Sequence, residues 1–438
     1  MFSNGPEYDA RLRKAFVPPT ATLKDIHSAV PKELLRKQPL RATAYVIRDV
    51  TFSLAFFVLA TRISSTAQLA AVWTGSEWLR SVAKVALWGA YWWFQGLLWA
   101  GIFCLGECFI LAGHGSLFHS TSVNNTVGFT LHSFLLIPYF AWRSTHHAHH
   151  ARAPFSTSTG SIERDENYVP YHRDDFGLPP KKEARRADYA EVFEETPLFT
   201  LLRVLIMQGM GWWLYLSQNT LGAKMYPPGT NHFDPRSPLF KDHERASIFW
   251  SDIGIACMAI LLIFVGREYG WTAVLVYYGV PYLLTNHWIV MFTYLHHSDP
   301  TIAHYYASEW TFLRGAAATV DRPLLGWMGR FFLHNISHDH VAHHFFVGAP
   351  FFNGPEITKH VREVLQGDYN YDSTNTAYAL WRSFTQCLFI EDEHEAGGIV
   401  FYKNKHGEQA RQLAPDASRR LQSMPPKSPK EDMSEFVS

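Results

Sequence analysis

The stretch Trp142-Arg143-Ser144-Thr145-His146-His147-Ala148-His149-His150 decides how this chain is read. His146, His149 and His150 stand at i, i+3 and i+4, so on a helix their imidazoles share one face. A second H-x-x-H-H pattern, His340, His343 and His344, follows in the far half of the chain. With 23 histidines among 438 residues, roughly 0.06 such patterns are expected by chance, and two are present. Imidazole is a ligand suited to Zn, Cu, Fe and Ni. Two such faces brought together could enclose a pair of ions.

Both patterns sit just outside apolar segments. Val85–Gly106 carries no charge, and Trp271–Leu295 is interrupted only by His287; each matches the roughly 20 residues that cross a bilayer core. Pro281 predicts a kink in the second, to be compensated by neighbouring helices. Val50–Thr61 and Ile253–Gly266 are shorter apolar runs, read as two further spans. Val127–Trp142 and Val204–Leu216, edged by Trp, Tyr and Arg, are predicted to lie on the membrane surface. Between them Arg152–Glu195 is densely charged, with Lys181, Lys182, Arg185 and Arg186, and is cytosolic by the positive-inside rule.

The fold predicted is therefore all-α and integral to the membrane. Two transmembrane hairpins, four spans in all, carry interfacial helices and a cytosolic helical cap. The region from about 107 to 245 and the chain from His296 onward then lie on the cytosolic side, as do both termini, which puts every histidine cluster on one face. Residues 1–22 are expected to be a disordered tail, 23–405 the membrane domain, and 406–438 a second disordered tail.

Composition narrows the alternatives. Lys plus Arg and Asp plus Glu are equal at 39 each, so no global field favours nucleic acid. Cys104, Cys108, Cys257 and Cys387 are too dispersed for a disulfide framework. The first twenty residues lack the apolar core of a cleaved signal peptide. No C-x-x-C-H haem site and no glycine-rich dinucleotide fingerprint is present, so electrons for redox chemistry must come from another protein.

Other histidines could extend the metal site. His114 and His119 follow the second span at i and i+5, about 140° apart on an ideal helix, so they converge only if the helix ends or loosens there. Glu107 shares the face of His114 and could add a carboxylate. His296 and His297 follow the last span; His297 could complete the ligand shell, or the pair could anchor a helix end. Asp299, Asp339, His338 and Asn335 stand close enough in sequence to take the second N–H of a ligating imidazole. An apolar slot is expected among the aromatic residues from Trp88 to Trp99.

At these motifs the chain resembles the membrane fatty acid desaturases, and among them the Δ12, or oleate, type. Residues 142–150 look like the family's second histidine box and His340-Val341-Ala342-His343-His344 like its third. Asn231-His232-Phe233-Asp234-Pro235, Ser308-Glu309-Trp310, Thr319-Val320-Asp321-Arg322 and Ala379-Leu380-Trp381-Arg382-Ser383-Phe384 are also similar to family segments, and the similarity runs from about Leu23 to Lys405. The first box departs from the family's H-E-C-G-H. Gly106-Glu107-Cys108 is followed by Phe109-Ile110-Leu111-Ala112 before Gly113-His114-Gly115, as though a leading histidine were absent and four residues inserted. His114 matches that box's second histidine, and His119 could substitute for the missing one.

The resemblance implies two non-haem iron ions, O2 as co-substrate, a membrane-lipid acyl chain as substrate, and cytochrome b5 with its reductase as electron donor at the endoplasmic reticulum. It leaves open a hydroxylase, acetylenase, conjugase or ω3 desaturase on the same scaffold, or an inactive protein that keeps the fold.

Overall fold

The computed structural model describes residues 2–106, 118–150, 159–392, 398–415 and 417. The chain begins with α1 (Pro6–Arg13) and α2 (Leu23–Ala29), then α3 (Pro39–Ala60), α4 (Ile63–Thr74) and α5 (Glu77–Gly106). After the undescribed residues 107–117 come α6 (Thr121–Phe134), α7 (Tyr139–His149), α8 (Arg186–Phe193) and α9 (Pro197–Gln218). Next are α10 (Arg245–Tyr269), α11 (Trp271–Val274), a π-helical turn (Leu275–Gly279) and α12 (Val280–His297). The C-terminal part holds α13 (Phe312–Ala317), α14 (Trp327–Phe332), α15 (His340–Phe345), α16 (Gly354–Leu365) and α17 (Thr376–Gln386). Strands β1 (His304–Tyr305) and β2 (Ile399–Val400) pair antiparallel.

Three of the four predicted spans fall within longer helices, because flanking residues continue the backbone hydrogen bonds beyond the apolar run. Val50–Thr61 falls almost wholly within α3, which opens with Pro39 at its first turn, where the missing N–H costs nothing. Val85–Gly106 is the greater part of α5, and Ile253–Gly266 lies in α10. Among the described residues, α3, α9 and the segment Asp242–Tyr269 are long and apolar enough by themselves to cross a membrane. Trp, Tyr, Gly and Gln dilute the apolarity of α5, and the π-helical turn breaks the last predicted span into shorter helices.

Two expectations are corrected. Val204–Leu216 belongs to a helix of 22 residues, longer than the short interfacial run suggested. Val127–Trp142 is not one element: Leu136, at φ 54°, turns the chain between α6 and α7.

α5 and α12 form the inner pair. A Cβ on Gly101 would collide with the backbone carbonyl of Phe332, so α5 and α14 approach almost backbone to backbone. The aromatic run Trp88–Trp99, read as the wall of a slot, instead packs helix on helix. Trp88 lies 5.4 Å from Tyr277, Trp93 5.1 Å from Trp288 and Trp99 5.2 Å from Tyr278, ring to ring. The predicted disturbance at Pro281 is present and is compensated by α5. Proline has no N–H for the Tyr277 carbonyl four residues back, and the Tyr91 hydroxyl donates to that oxygen at 2.9 Å. Trp92 Nε1–H donates to the Val276 carbonyl at 2.9 Å in the adjoining π-helical turn.

The outer faces of α3, α4 and α10 present Leu54, Val58, Leu69, Trp73, Ile260 and Phe264 uncovered by protein. Such a continuous apolar girdle suits lipid rather than water.

The N-terminal tail is not disordered. Tyr8 and Arg11 of α1 are buried, Gly5 N–H donates to Thr374 Oγ1 at 2.7 Å, and the Arg382 guanidinium lies 3.5 Å from the centre of the Tyr8 ring. Beneath it Arg322 and Arg382 share Asp299 and Asp372, with Arg322 2.8 Å from Asp299 and Arg382 2.6 Å from Asp372. Charged, proline-rich composition resembles disorder, but here the charges complete a buried ionic cluster. Part of the C-terminal tail is ordered too: Arg411 Nε donates to the Lys14 carbonyl at 2.9 Å, and Phe16 N–H donates to the Gln412 carbonyl at 2.8 Å. Residues 418–438 lie outside the described residues.

Tyr91→Phe strips the only hydrogen-bond donor offered to the Tyr277 carbonyl by α5. An unsatisfied buried acceptor costs about 1–3 kcal/mol, so this variant should melt at lower temperature in detergent, whereas the exposed Glu77→Ala should melt like the parent.

Candidate metal centre

Three helix ends carry the histidines. His146 and His149 occupy the last turn of α7 and His150 caps it; His296 and His297 close α12; His340, His343 and His344 make up half of α15. All are buried. The two patterns, half a chain apart, meet: His343 Nε2 is 3.1 Å from His150 Nε2, His344 Nε2 3.1 Å from His340 Nε2, and His340 Nε2 3.1 Å from His297 Nε2.

These imidazoles form three groups able to hold a metal ion: His146, His150 and His343; His149, His150 and His344; His297, His340 and His344. The first and third share no residue. Desolvation by burial holds His150, His340, His343 and His344 well below the ordinary histidine range, so they are neutral, the form that ligates metals. His340 Nε2 faces both His297 Nε2 and His344 Nε2, and a single ring nitrogen of a neutral imidazole serves only one of them as donor or acceptor. A cation does satisfy the arrangement, since two nitrogens each about 2.1 Å from one ion stand about 3 Å apart.

His149 and His146 are held from outside by residues the sequence reading missed. His149 Nδ1 donates to Asp165 Oδ1 at 2.6 Å. Asp165 is itself fixed by the backbone N–H groups of Gly160, Asn167 and Tyr168, at 3.0, 3.0 and 3.2 Å. The Asn167 carboxamide meets His146 Nδ1 at 3.1 Å and the Tyr215 hydroxyl at 3.0 Å, a pairing either orientation of the amide satisfies. Thr159 Oγ1 lies 3.1 Å from His344 Nδ1 and 3.2 Å from His149 Nε2. Partners of this kind fix the tautomer of a ligating histidine. Their only signal in the sequence was a polar loop after the second box, and loop folding is not a local property.

The outer partners proposed from sequence proximity lie elsewhere. Asp299 is committed to Arg322, with Arg11 and Arg382 nearby. Asn335 takes a hydrogen bond from Arg330 at 3.2 Å. Asp339 lies 3.7 Å from Arg330, and burial raises it to about 6; His338 is lowered to about 4, also by burial. Short helices turn adjacent side chains in different directions, so neighbours in sequence need not face the same site. His296 stacks on His340 at 3.9 Å between ring centres and bonds Ser337 Oγ at 2.9 Å, whereas His297 joins His340 and His344 in a group that could hold a metal. His119 is exposed at a bend just before α6 and belongs to none of the three groups found among the described residues. Glu107 and His114 lie outside the described residues.

A cavity of about 560 Å³ reaches the histidines, within the range of small-molecule sites. His146, His149, His296, His297 and His340 line its inner wall, and α9, α12 and α17 supply Met207, Trp212, Val290, Thr293 and Phe384. Tyr171 and Val192, 42% and 40% exposed, mark an open side. The lining is mainly apolar, so the space suits an aliphatic chain better than a polar solute. It lies on the α9 side of α12, not along the aromatic run of α5.

Fold and site together define a helical membrane protein with a buried histidine centre fit for metal. The fatty acid desaturase family model matches residues 111–375. Over 391 residues the chain is 37% identical to a Delta(12) fatty acid desaturase of Mortierella alpina, covering 88% of this chain and 91% of that one. An oleate hydroxylase of Claviceps purpurea is 34% identical over 417 residues, 90% of this chain and 83% of its own. An acyl-lipid (9+3)-(E)-desaturase of Dimorphotheca sinuata is 34% identical over 395 residues, 90% and 94%. The chain belongs to the fatty acid desaturase family, as its histidine boxes suggested.

Asp165→Ala should weaken metal binding by about 10–100-fold, the usual effect of losing such a partner, read as metal per chain after dialysis against a graded chelator. Burial also lowers His232 to about 3 and His304 to about 4. On unfolding they return towards the ordinary value of 6.5. Between about pH 6.5 and 4 the unfolded chain therefore binds more protons, and stability falls as the pH drops through that window. Thermal unfolding across that range should show a midpoint that declines with acidification.

Proposed function

We propose that this protein is an O2-dependent acyl-lipid desaturase that introduces a Δ12 double bond into an oleoyl chain, using two iron ions held by the histidine centre. The observation that carries this reading is the apolar cavity ending on those histidines, in a chain 37% identical to a Delta(12) desaturase. The two groups without a common residue, His146, His150, His343 and His297, His340, His344, offer places for two ions. His149 adds a further imidazole between them, and His114 from the first box is a further ligand in this reading. Bound there, iron supplies oxygen activation and removal of hydrogen from an unactivated methylene, which no side-chain base can achieve at neutral pH.

The chain's own residues do the rest. Trp142, Trp212, Phe292 and Tyr294 wall the cavity beside the histidines and exclude water from the reacting carbons. Asp165 and Asn167 hold the α7 imidazoles in one orientation. Electrons come from cytochrome b5 and its reductase at the cytosolic face of the endoplasmic reticulum.

In this reading α3 and α5 make one membrane hairpin and α10 to α12 the other, four spans with both termini cytosolic. α9 lies along the membrane surface although it is long enough to cross. Near its start Arg203 sits 5.3 Å from the Phe384 ring, and near its end Tyr215 bonds His232 at 3.1 Å, so both ends are tied to the histidine-bearing half.

A second reading keeps the scaffold and changes the product to a hydroxy, conjugated, acetylenic or ω3 acyl chain. The 34% identity to an oleate hydroxylase and to a (9+3)-(E)-desaturase favours it. The exposed His119 also supports a third, that of a non-catalytic relative.

Expression in a yeast that makes oleate but no linoleate separates these readings. Linoleate should appear in the fatty acid profile, the purified protein should carry about two irons per chain, and His149→Ala or His343→Ala should abolish the product while the protein stays in the membrane. Hydroxy or conjugated products instead would establish the second reading. Fewer than two irons with no new fatty acid in any host would establish the third, and normal turnover in either histidine variant would exclude the di-iron assignment.

A further inference from the structure

The histidine centre has a second approach. A small pocket of about 30 Å³ lies between α15, the start of α16 and the loop that leads into α15, and His343 forms part of its wall. His343 belongs to the first metal-binding group and does not line the large cavity. The two spaces share no lining residue, so they meet the centre through different imidazoles.

Polar groups gather on the wall of this pocket. Asp339, 6% exposed, has an Oδ2 with no hydrogen-bond partner, and the Arg330 guanidinium stands 3.7 Å from that oxygen. Polar groups at such a separation are commonly joined through water. Gly354 leaves the space in front of the same oxygen open, since a Cβ there would stand 3.0 Å from it. His334 is buried and donates from Nε2 to Asp49 Oδ2 at 2.7 Å, while its Nδ1 has no partner. His334 and Asn335 both hold positive φ, 52° and 65°, a left-handed conformation that successive non-glycine residues keep only where their surroundings enforce it. A volume of about 30 Å³ has room for about one or two waters. Asn335 and Gly354, both partly exposed, lead from it towards solvent.

The chemistry proposed for the centre makes water in a place poorly suited to it. Each double bond takes two hydrogen atoms from the acyl chain and, with two electrons from the donor and two protons, reduces one O2 to two waters. Two C–H bonds and the O–O bond break; one carbon–carbon π bond and four O–H bonds form. Those waters arise beside an apolar cavity filled by the acyl chain, where water finds few hydrogen-bond partners. The chain itself then lies between them and the open side at Tyr171 and Val192.

We propose that the pocket at His343 is a water site and the port through which product water leaves the metal centre, passing Asp339, His334 and Asn335 to the surface. The port's role rests on the desaturase reading. Bulk at Ala349 or Ile357, which line the pocket away from the ligands, closes it without touching the acyl cavity.

The test uses the full-length protein in nanodiscs of dioleoylphosphatidylcholine, mixed rapidly with water enriched in the heavy isotope of oxygen and exposed to a short X-ray pulse, so that bound water hydroxylates the side chains beside it. In the parent, Phe346 and Phe351 of the pocket should take up heavy oxygen although both are buried from bulk solvent. Ala349→Leu, and independently Ile357→Phe, should lose that labelling, while the pattern at Trp212 in the acyl cavity stays that of the parent and reports an intact fold. In both variants the first turnover after mixing with O2 should keep the parent's rate and later turnovers should slow, a split that a general loss of structure would not give. Absence of label from Phe346 and Phe351 in the parent, label retained in both variants, or steady turnover at the parent's rate in variants that have lost the label overturns the proposal. The expected labelling in a protein that forms no new fatty acid in any host would refute the desaturase reading, and with it the product water, while establishing the water site.

Discussion

The constraint on which everything else depends is the crowding of buried neutral imidazoles at three helix ends. His340 Nε2 stands 3.1 Å from the Nε2 atoms of both His297 and His344, and one ring nitrogen can hydrogen-bond with only one of them, whereas a cation among the three would be bound by all. The helix ends themselves contribute. α7 and α12 both deliver their histidines from the last turn, where the helix dipole is negative and favours a cation. Histidine offers the ligands and the backbone a field of the sign that favours a cation.

Holding that arrangement requires rigidity on both sides of the membrane surface. On the membrane side, α5 grips α12 through stacked aromatics and repairs the hydrogen bonding that Pro281 interrupts, which fixes the height at which His297 emerges. On the cap side, α15 packs Val341 and Phe345 into a core with Ile26, Phe312 and Val361. The buried Arg322, Arg382, Asp299 and Asp372 cluster ties the turn after α12 to α17 and to the N-terminal helix. Removing one partner would strand a buried charge at a cost of about 3–5 kcal/mol, which explains why such charges persist in a structure that could have used apolar groups. The cavity is what remains between these rigid parts, bounded by α9, α12 and α17.

Local pattern in the sequence determined the helical membrane class, the four apolar runs, the disturbance at Pro281 and the convergence of two H-x-x-H-H faces on one metal centre. These are legible because helix periodicity and bilayer thickness act over a few turns, and because two identical ligand patterns need a common purpose. Family resemblance rested on the same local strings. Only the tertiary structure decided that Asp165, Asn167 and Thr159 steady the ligands, that Asp299 serves an arginine cluster, that the first residues form a buried helix, that His119 faces outward, and that the acyl-sized cavity follows α9 instead of the aromatic face of α5. Each of these depends on which distant segment comes to lie within hydrogen-bond or van der Waals reach, a matter of chain topology and packing that spacing along one segment does not encode.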